Sequence, residues 1–138
     1  MQKTYEFTRH SFPIQVFFAP SDAHFRRFLK QFDPTGPQHL PETAGVVVKI
    51  RDKTTRQVAV CIGLGRDIHK DTPEQLLSVI VHEIVHCVQY MQEAASETTF
   101  DNETEAYMVQ GMMLWCMWVW QDYNTSLRDK KKRKPPKK

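Results

Sequence analysis

The first apolar run of the chain predicts a strand that leads into a short helix. Residues Phe12 to Ala19 are apolar and aromatic with one polar interruption, and Pro20 closes the run. This pattern is typical of a β-strand. Ser21-Asp22 then resembles a helix cap, and apolar residues follow at helical spacing until Pro34. We therefore expect one strand and one helix in this segment.

The middle of the chain predicts an antiparallel hairpin. Gly45 to Ile50 is rich in valine, and Val58 to Leu64 is a second run of apolar and β-branched residues. A polar turn at 52–55 separates the two runs, as in a hairpin.

Two long helices are predicted after the hairpin. Thr72, Pro73, Glu74 and Gln75 supply a cap, a first-turn proline and a capping box, so the first helix should run from Thr72 to Ala95. Apolar residues cover most of its circumference, which predicts a buried helix. The second helix, Asn102 to Ser126, has Asp101 or Asn102 as its cap and should pack against the first.

Composition fits one globular domain of the α+β class. The chain has 138 residues, of which 41% are hydrophobic and 25% charged, ordinary values for one packed core. We expect a small, twisted, mostly antiparallel sheet backed by helices.

The formal charge of +3 is unevenly spread along the chain. Residues 128–138 hold eight of the 19 basic residues, so residues 1–127 carry a net negative charge. We therefore place the domain at 1–127 and expect a disordered basic tail at 128–138, the only segment suited to nucleic acid.

Cysteine usage and hydropathy favour a cytoplasmic protein. Cys61, Cys87 and Cys116 show no CxxC spacing, and the first ten residues lack the apolar core of a secretory signal. The most apolar run, Tyr107 to Trp120, is shorter than the roughly 20 residues that a spanning helix needs. We expect no membrane segment.

The chemistry is carried by the HExxH motif that begins at His82. Imidazoles four residues apart lie on one face of a helix, so His82 and His86 can chelate one ion. Glu83 is rotated by roughly 100° from His82 and can reach a water molecule on that ion, which makes it a candidate general base. Polar groups within these Ile- and Val-rich turns would be costly to bury without a partner such as a metal ion.

A catalytic zinc ion needs a third protein ligand. The metzincin pattern HExxHxxGxxH is excluded, because Gln89 and Gln92 stand at its glycine and third histidine. Carboxylates follow at 93, 97, 103 and 105.

With Glu105, the motif resembles the gluzincin pattern of zinc peptidases. The motif HEIVH, the following eighteen residues and Glu105-Ala106 match that pattern, and ETEAYMVQ is similar to the second motif of small phage-encoded metallopeptidases and minigluzincins. The resemblance covers about 45–114. It implies a zincin-like fold, Zn²⁺ bound by His82, His86 and Glu105, and hydrolysis of peptide or protein substrates with Glu83 activating water. For a phage protein, the compartment would be the host cytoplasm.

The residues themselves leave three parts of the site open. Glu103 is the rival ligand, because it lies about 200° from Glu105 around a helix and only one of them can face the ion. The acidic residue that many gluzincins have four positions after the glutamate is Val109 here, so Gln110 or Asn102 could accept the imidazole N–H instead. Four side chains could stabilise the transition state: Tyr107, Tyr123, Tyr90 and His69.

Two further interpretations concern surfaces. By resemblance, Gln57 to Gly63 or its hairpin partner would pair with an extended substrate. The tryptophans and methionines of the second long helix predict core or dimer surface, although the sequence leaves the oligomeric state open. The alternative function is a catalytically silent zincin-like interaction protein, whose metal stabilises the fold and whose tail or aromatic helix binds a partner.

Overall fold

The computed structural model describes residues 3–10, 12, 14–36, 44–52, 55–65, 67–94 and 100–134, with the backbone alone of His69. The described part of the chain is an α+β fold, as predicted. It contains a four-stranded sheet, three α-helices and a short 3₁₀ turn at Ile68–Lys70.

The sheet has the order β1-β2-β4-β3. Its strands are β1 (Tyr5–Phe7), β2 (Ile14–Ala19), β3 (Gly45–Arg51) and β4 (Val58–Leu64). The predicted hairpin is confirmed, since β3 and β4 pair antiparallel from Gly45 opposite Leu64 to Arg51 opposite Val58. The short strand β1 was not predicted, because only two of its three residues are apolar.

The sheet is mixed, which modifies the prediction of a mostly antiparallel one. The pairings β1–β2 and β3–β4 are antiparallel, but the central pairing β2–β4 is parallel. The reason is that β2 is followed by a helix that carries the chain over the sheet before the hairpin, and a parallel pairing needs such a crossover.

The helices are α1 (Asp22–Phe32), α2 (Pro73–Ala94) and α3 (Asn102–Arg133), and each begins at a side-chain cap. The Ser21 hydroxyl accepts from the backbone N–H of His24, and the Asp101 carboxylate accepts from that of Thr104. The predicted capping box starts α2, because Thr72 and Gln75 exchange backbone-to-side-chain hydrogen bonds of 2.9 and 3.2 Å.

The sheet is covered on both faces, which explains why every residue of β4 is buried. Alternate residues of β2 and β4, such as Val16 and Val60, pack with α2 and α3 in the larger core. The residues between them, such as Phe17 and Cys61, pack with α1 in the smaller one. The helix α2 therefore lies on the sheet with β3 along its side.

The prediction that α2 is a buried helix holds for only part of its circumference. Leu77, Val81 and Val85 follow one another at four-residue spacing, and each exposes between 37% and 41% of its surface. The sheet and α3 cover only part of the circumference of α2, so its apolar outer side faces solvent in the described structure.

The basic end also differs from the predicted disordered tail, because α3 continues beyond Ser126 to Arg133. Lysine and arginine are good helix formers, and cations in the last turn stabilise the helix dipole. The helix ends just before Pro135, which disfavours helical geometry at Lys134. Residues 135–138 lie outside the described residues. Within the described part of the chain, no helix has the length and apolarity required to cross a membrane.

Candidate metal centre

The two histidines of the HExxH motif converge on one point beside α2. Nε2 of His82 lies 3.1 Å from Nε2 of His86, and the ring centroids are 4.8 Å apart. Both residues are exposed. The convergence follows from the helix, because residues four apart stand one above the other on the same face.

This nitrogen pair fits a zinc ion. Two nitrogens that each lie 2.0–2.1 Å from one tetrahedral zinc ion are about 3.3 Å apart, close to the 3.1 Å between Nε2 of His82 and Nε2 of His86. Neutral imidazole nitrogens are also ligands that zinc prefers. The histidine pair alone therefore supplies two of the required donors.

Gln89 orients the second histidine. Nδ1 of His86 lies 3.1 Å from Oε1 of Gln89, three residues further along the same face of α2. An amide oxygen only accepts, so this contact places the His86 proton on Nδ1 and leaves a lone pair on Nε2. In the described structure this lone pair accepts the Nε2–H of His82, and metal binding requires His82 to carry its proton on Nδ1 instead, so that both Nε2 lone pairs face the ion.

Glu83 lies on a different side of α2 from the histidines and is buried, with 7% of its surface exposed. Burial raises the pKa of its carboxyl, and the neighbouring charges of His82 and His86 act in the opposite direction. A carboxyl of raised pKa takes up a proton more readily near neutral pH, which suits a general base.

The first residue of β3 presses against Glu83. A Cβ built on Gly45 would lie 3.0 Å from Cγ and 3.1 Å from Oε1 of Glu83, and 2.7 Å from Cγ1 of Val79. Only a glycine allows the strand to pass so close to the carboxylate. Gly45 therefore sets the distance between the strand and the candidate base.

The strand β3 continues alongside α2 toward the end of the helix. Nζ of Lys49 lies 2.8 Å from Oε2 of Glu93 and 4.8 Å from the centre of the Tyr90 ring. Gly45 and Lys49 thus contact α2 about two to three turns apart, so strand and helix run side by side. Since β3 lies at one end of the sheet order, its outer edge is available for pairing in the described structure.

Of the two candidates for the substrate strand, β3 is at an edge and β4 is not. β4 is hydrogen-bonded on one side to β2 and on the other to β3. The segment 57–63 is therefore not available to a peptide, and its hairpin partner is.

Glu105 and Glu103 point in different directions from α3. Glu105 is half-buried and lines a groove between α2 and α3 together with Val81, the residue before His82, whereas Glu103 is exposed. Among the described residues, however, no three His, Cys, Asp or Glu side chains are grouped closely enough to hold a metal ion. The structure thus brings His82 and His86 together but does not bring Glu105 to them, and Glu105 stays a prediction.

The two histidines are not buried among the apolar residues of the motif, contrary to the prediction. His82 and His86 are exposed, and Glu83 alone among the three polar residues is buried. The apolar residues around the motif belong to other faces of α2, so the imidazoles stay hydrated and need no metal ion to compensate for burial. The convergence of their nitrogens carries the metal interpretation instead.

The remaining candidates lie at separate places. Asn102 and Gln110 line the same groove as Glu105, while Tyr107 lines a second groove between α3 and β1. Tyr123 contacts the rings of His24 and Trp120. The His69 side chain lies outside the described residues. Tyr90, which lies under Lys49, is the candidate on α2 itself.

Sequence reasoning missed Gln89 and Gly45 as parts of the site. Gln89 was considered only as a departure from the metzincin pattern, although its position three residues after His86 places it on the same helical face. Gly45 is the first residue of a strand, and no local pattern reports a contact with a helix some forty residues later.

The chain was compared with profiles of protein families, with curated proteins and with solved structures. None of the three comparisons finds a match. What the site can do is therefore argued from its own residues.

Proposed function

We propose that this protein is a zinc-dependent metallopeptidase that hydrolyses peptide bonds. The observation that carries the proposal is the convergence of two imidazole Nε2 atoms, 3.1 Å apart, on the helix that also holds a buried glutamate. These are the parts that metal-assisted hydrolysis requires of one helix: two metal donors and a base one residue away.

The ion would be held by His82, His86 and Glu105. Two imidazoles and one carboxylate leave a fourth position open, as catalytic zinc requires. Glu105 is proposed over Glu103 because it is half-buried on the side of α3 that faces α2. A zinc ion held there would make water acidic enough to lose a proton near neutral pH and would polarise the carbonyl group of the substrate.

Glu83 would move the proton. Its carboxylate accepts a proton from the attacking water and then donates it to the nitrogen of the departing amine. Burial raises the pKa of Glu83, which favours uptake of that proton. The contact with Gly45 holds the carboxyl beneath the first residue of β3.

The edge strand β3 would bind the substrate as an additional, antiparallel strand. Its outer edge offers backbone donors and acceptors, and it runs beside α2 from Glu83 to Glu93. Pairing with an extended peptide uses backbone hydrogen bonds and so accepts many sequences. We propose an unfolded segment of a protein as the substrate class.

A reducing compartment such as the cytoplasm suits the three cysteines. Cys61, Cys87 and Cys116 are all free and buried. Burial raises the pKa of Cys87 to about 12, so this thiol stays protonated and unreactive.

The activity is tested with Glu83→Gln. The variant should bind zinc like the wild-type protein but lose cleavage of an unfolded protein substrate by at least about a hundredfold, because general-base catalysis contributes 10²–10⁴-fold. Glu74→Gln, which changes an exposed carboxylate in the first turn of the same helix, is the matched control and should retain cleavage. Wild-type protein that binds zinc but does not cleave would contradict the proposal and support the interaction protein.

The third ligand is tested with Glu105→Gln and Glu103→Gln. The first should weaken zinc binding by at least about tenfold, and the second should leave it unchanged, since the two carboxylates face different sides of α3. The reverse result would assign the ligand to Glu103.

A further inference from the structure

One side of α3 carries three exposed large apolar residues and one half-buried glycine in a row. Tyr107, Gly111, Leu114 and Trp118 follow one another at spacings of four, three and four, which places them in one seam of the kind found in paired helices. Tyr107 and Leu114 each expose 68% of their surface and Trp118 exposes 51%. We call these four residues the α3 seam.

The α3 seam lies outside the core of the described chain, although one edge of Trp118 contacts the ring of Tyr5 and Nζ of Lys3 lies 4.8 Å from the Trp118 ring. The buried residues of α3 are Met112, Cys116 and Val119, and they lie on roughly the opposite side of the helix. A contiguous exposed apolar surface of this kind typically marks a binding interface.

Gly111 shows that the seam has room for a backbone to approach. A Cβ built on it would meet no atom of the described residues within 4 Å. Glycine destabilises the interior of a helix relative to alanine, and packing among the described residues does not require it here. A close approach by another helix would require it.

We propose that the α3 seam binds the α3 seam of a second copy of this chain, with the two helices antiparallel. A two-fold axis between Met112 and Met113 places Leu114 of each copy over Gly111 of the other. The same axis pairs Tyr107 with Trp118 of the other copy. Large residues thus meet a small residue or an aromatic partner along the whole seam, as a self-complementary interface requires.

The charges of α3 select the antiparallel direction. Its first turn contains Glu103 and Glu105, and its last turn contains Lys130, Lys131, Lys132 and Arg133. A parallel pair would set the two basic ends side by side. An antiparallel pair separates the two basic ends by most of the length of α3, far beyond the screening length of about 10 Å.

The oligomeric state of the full chain tests the proposal. Light scattering on the eluting protein at micromolar concentration should give twice the mass of one chain. Leu114→Glu should give one chain mass, because it places a charge against Gly111. The matched control Leu77→Glu adds the same charge at an exposed leucine of α2 and should stay dimeric. Circular dichroism shows whether each variant is folded.

The direction is tested with disulfide formation between two single-cysteine variants. Chains carrying Tyr107→Cys mixed with chains carrying Trp118→Cys should give a mixed disulfide, and neither should give one alone. The native cysteines are buried and should not interfere.

Three results would overturn the proposal. These are a monomeric wild-type protein, a dimer that persists in folded Leu114→Glu, and disulfides formed by Tyr107→Cys alone. Zinc binding and cleavage are separate readouts, so failure of the dimer leaves the proposed function standing.

Discussion

Gly45 at the start of β3 and Glu83 in the middle of α2 are in direct contact. A Cβ on Gly45 would lie 3.0 Å from Cγ of Glu83, closer than ordinary van der Waals contact. The same Cβ would lie 2.7 Å from Cγ1 of Val79, so Gly45→Ala should displace Val79 together with Glu83, or move the edge strand. We expect it to lower cleavage at least about tenfold, because misplacing a catalytic group by a fraction of an ångström is costly.

The control for Gly45→Ala is Val48→Ala. Val48 lies on the same strand and packs with the core on the side of α1. Val48→Ala should lower the unfolding free energy. At a temperature at which the variant is folded, its rate of cleavage should stay close to that of the wild-type protein. Equal cleavage by Gly45→Ala and wild-type protein would remove the strand contact from the mechanism.

Gln89 should tune the metal affinity through His86. Removing its amide oxygen with Gln89→Ala frees the His86 ring to rotate and removes the acceptor for its Nδ1 proton. Loss of such an outer partner typically costs 10–100-fold in metal affinity. Zinc titration should report a loss in that range, and Gln89→Glu should restore the affinity because a carboxylate also accepts the proton.

Gln92→Ala is the matched control for this effect, since Gln92 is the next glutamine of α2 but is rotated by about 120° from His86 around the helix. An equal affinity in Gln89→Ala and Gln92→Ala would mean that the contact does not orient a ligand.

The buried Glu83 carboxylate should reduce the stability of the metal-free protein above its pKa. Burial raises the pKa of Glu83 above its ordinary value of 4.5, so the folded state binds this proton to higher pH than the unfolded chain. That contribution is favourable below the unfolded pKa and is lost as the pH rises through the folded one.

Glu83→Gln does not titrate, so its unfolding free energy relative to wild type should increase from about pH 4 to about pH 8. Urea unfolding of both metal-free proteins at the two pH values measures the change. A difference that stays constant, or that decreases with pH, would contradict a desolvated carboxylate.

The hydrogen bond between Tyr5 and Asp122 should stabilise the attachment of β1 to α3. The Tyr5 hydroxyl donates to Oδ2 of Asp122 at 2.7 Å, and Nζ of Lys3 lies 3.1 Å from the same oxygen. The Tyr5 hydrogen bond, and then Lys3, lower the pKa of Asp122. A lowered carboxyl pKa stabilises the fold above the unfolded pKa and ceases to do so as the pH falls through the folded one.

Tyr5→Phe should therefore cost about 1 kcal/mol of unfolding free energy at neutral pH and progressively less in acid. Urea unfolding of Tyr5→Phe and wild-type protein at neutral and acid pH measures the effect. A cost that does not change with pH would show that the lost hydroxyl acts independently of the Asp122 charge.

Strong local patterns made most elements predictable. The β3–β4 hairpin is bounded by a polar turn, and the capping box at Thr72 marks the start of α2 directly. The strand β1 could not be predicted, because three residues with two apolar positions carry little pattern. The parallel pairing of β2 with β4 depends on which strands meet across the sheet, and no local sequence feature reports that.

The candidate site was predictable where its chemistry lies within one helix. The spacing of His82 and His86 predicted the convergence of their nitrogens, and it is confirmed. Contacts between different secondary-structure elements, such as the one between Gly45 and Glu83, could not be predicted from the sequence. The exposure of the histidines was not predicted. The apolar residues around them indicated a buried helix, but the sequence does not show how much of that helix the sheet and α3 cover.

Calorimetric titration of zinc into chelator-treated and then dialysed protein tests the central proposal most directly. We expect one ion bound per chain, with an affinity that falls at least about tenfold in both His82→Ala and His86→Ala, since each removes one of the converging nitrogens. No saturable uptake by wild-type protein, or uptake unchanged in both variants, would contradict a metal centre on α2.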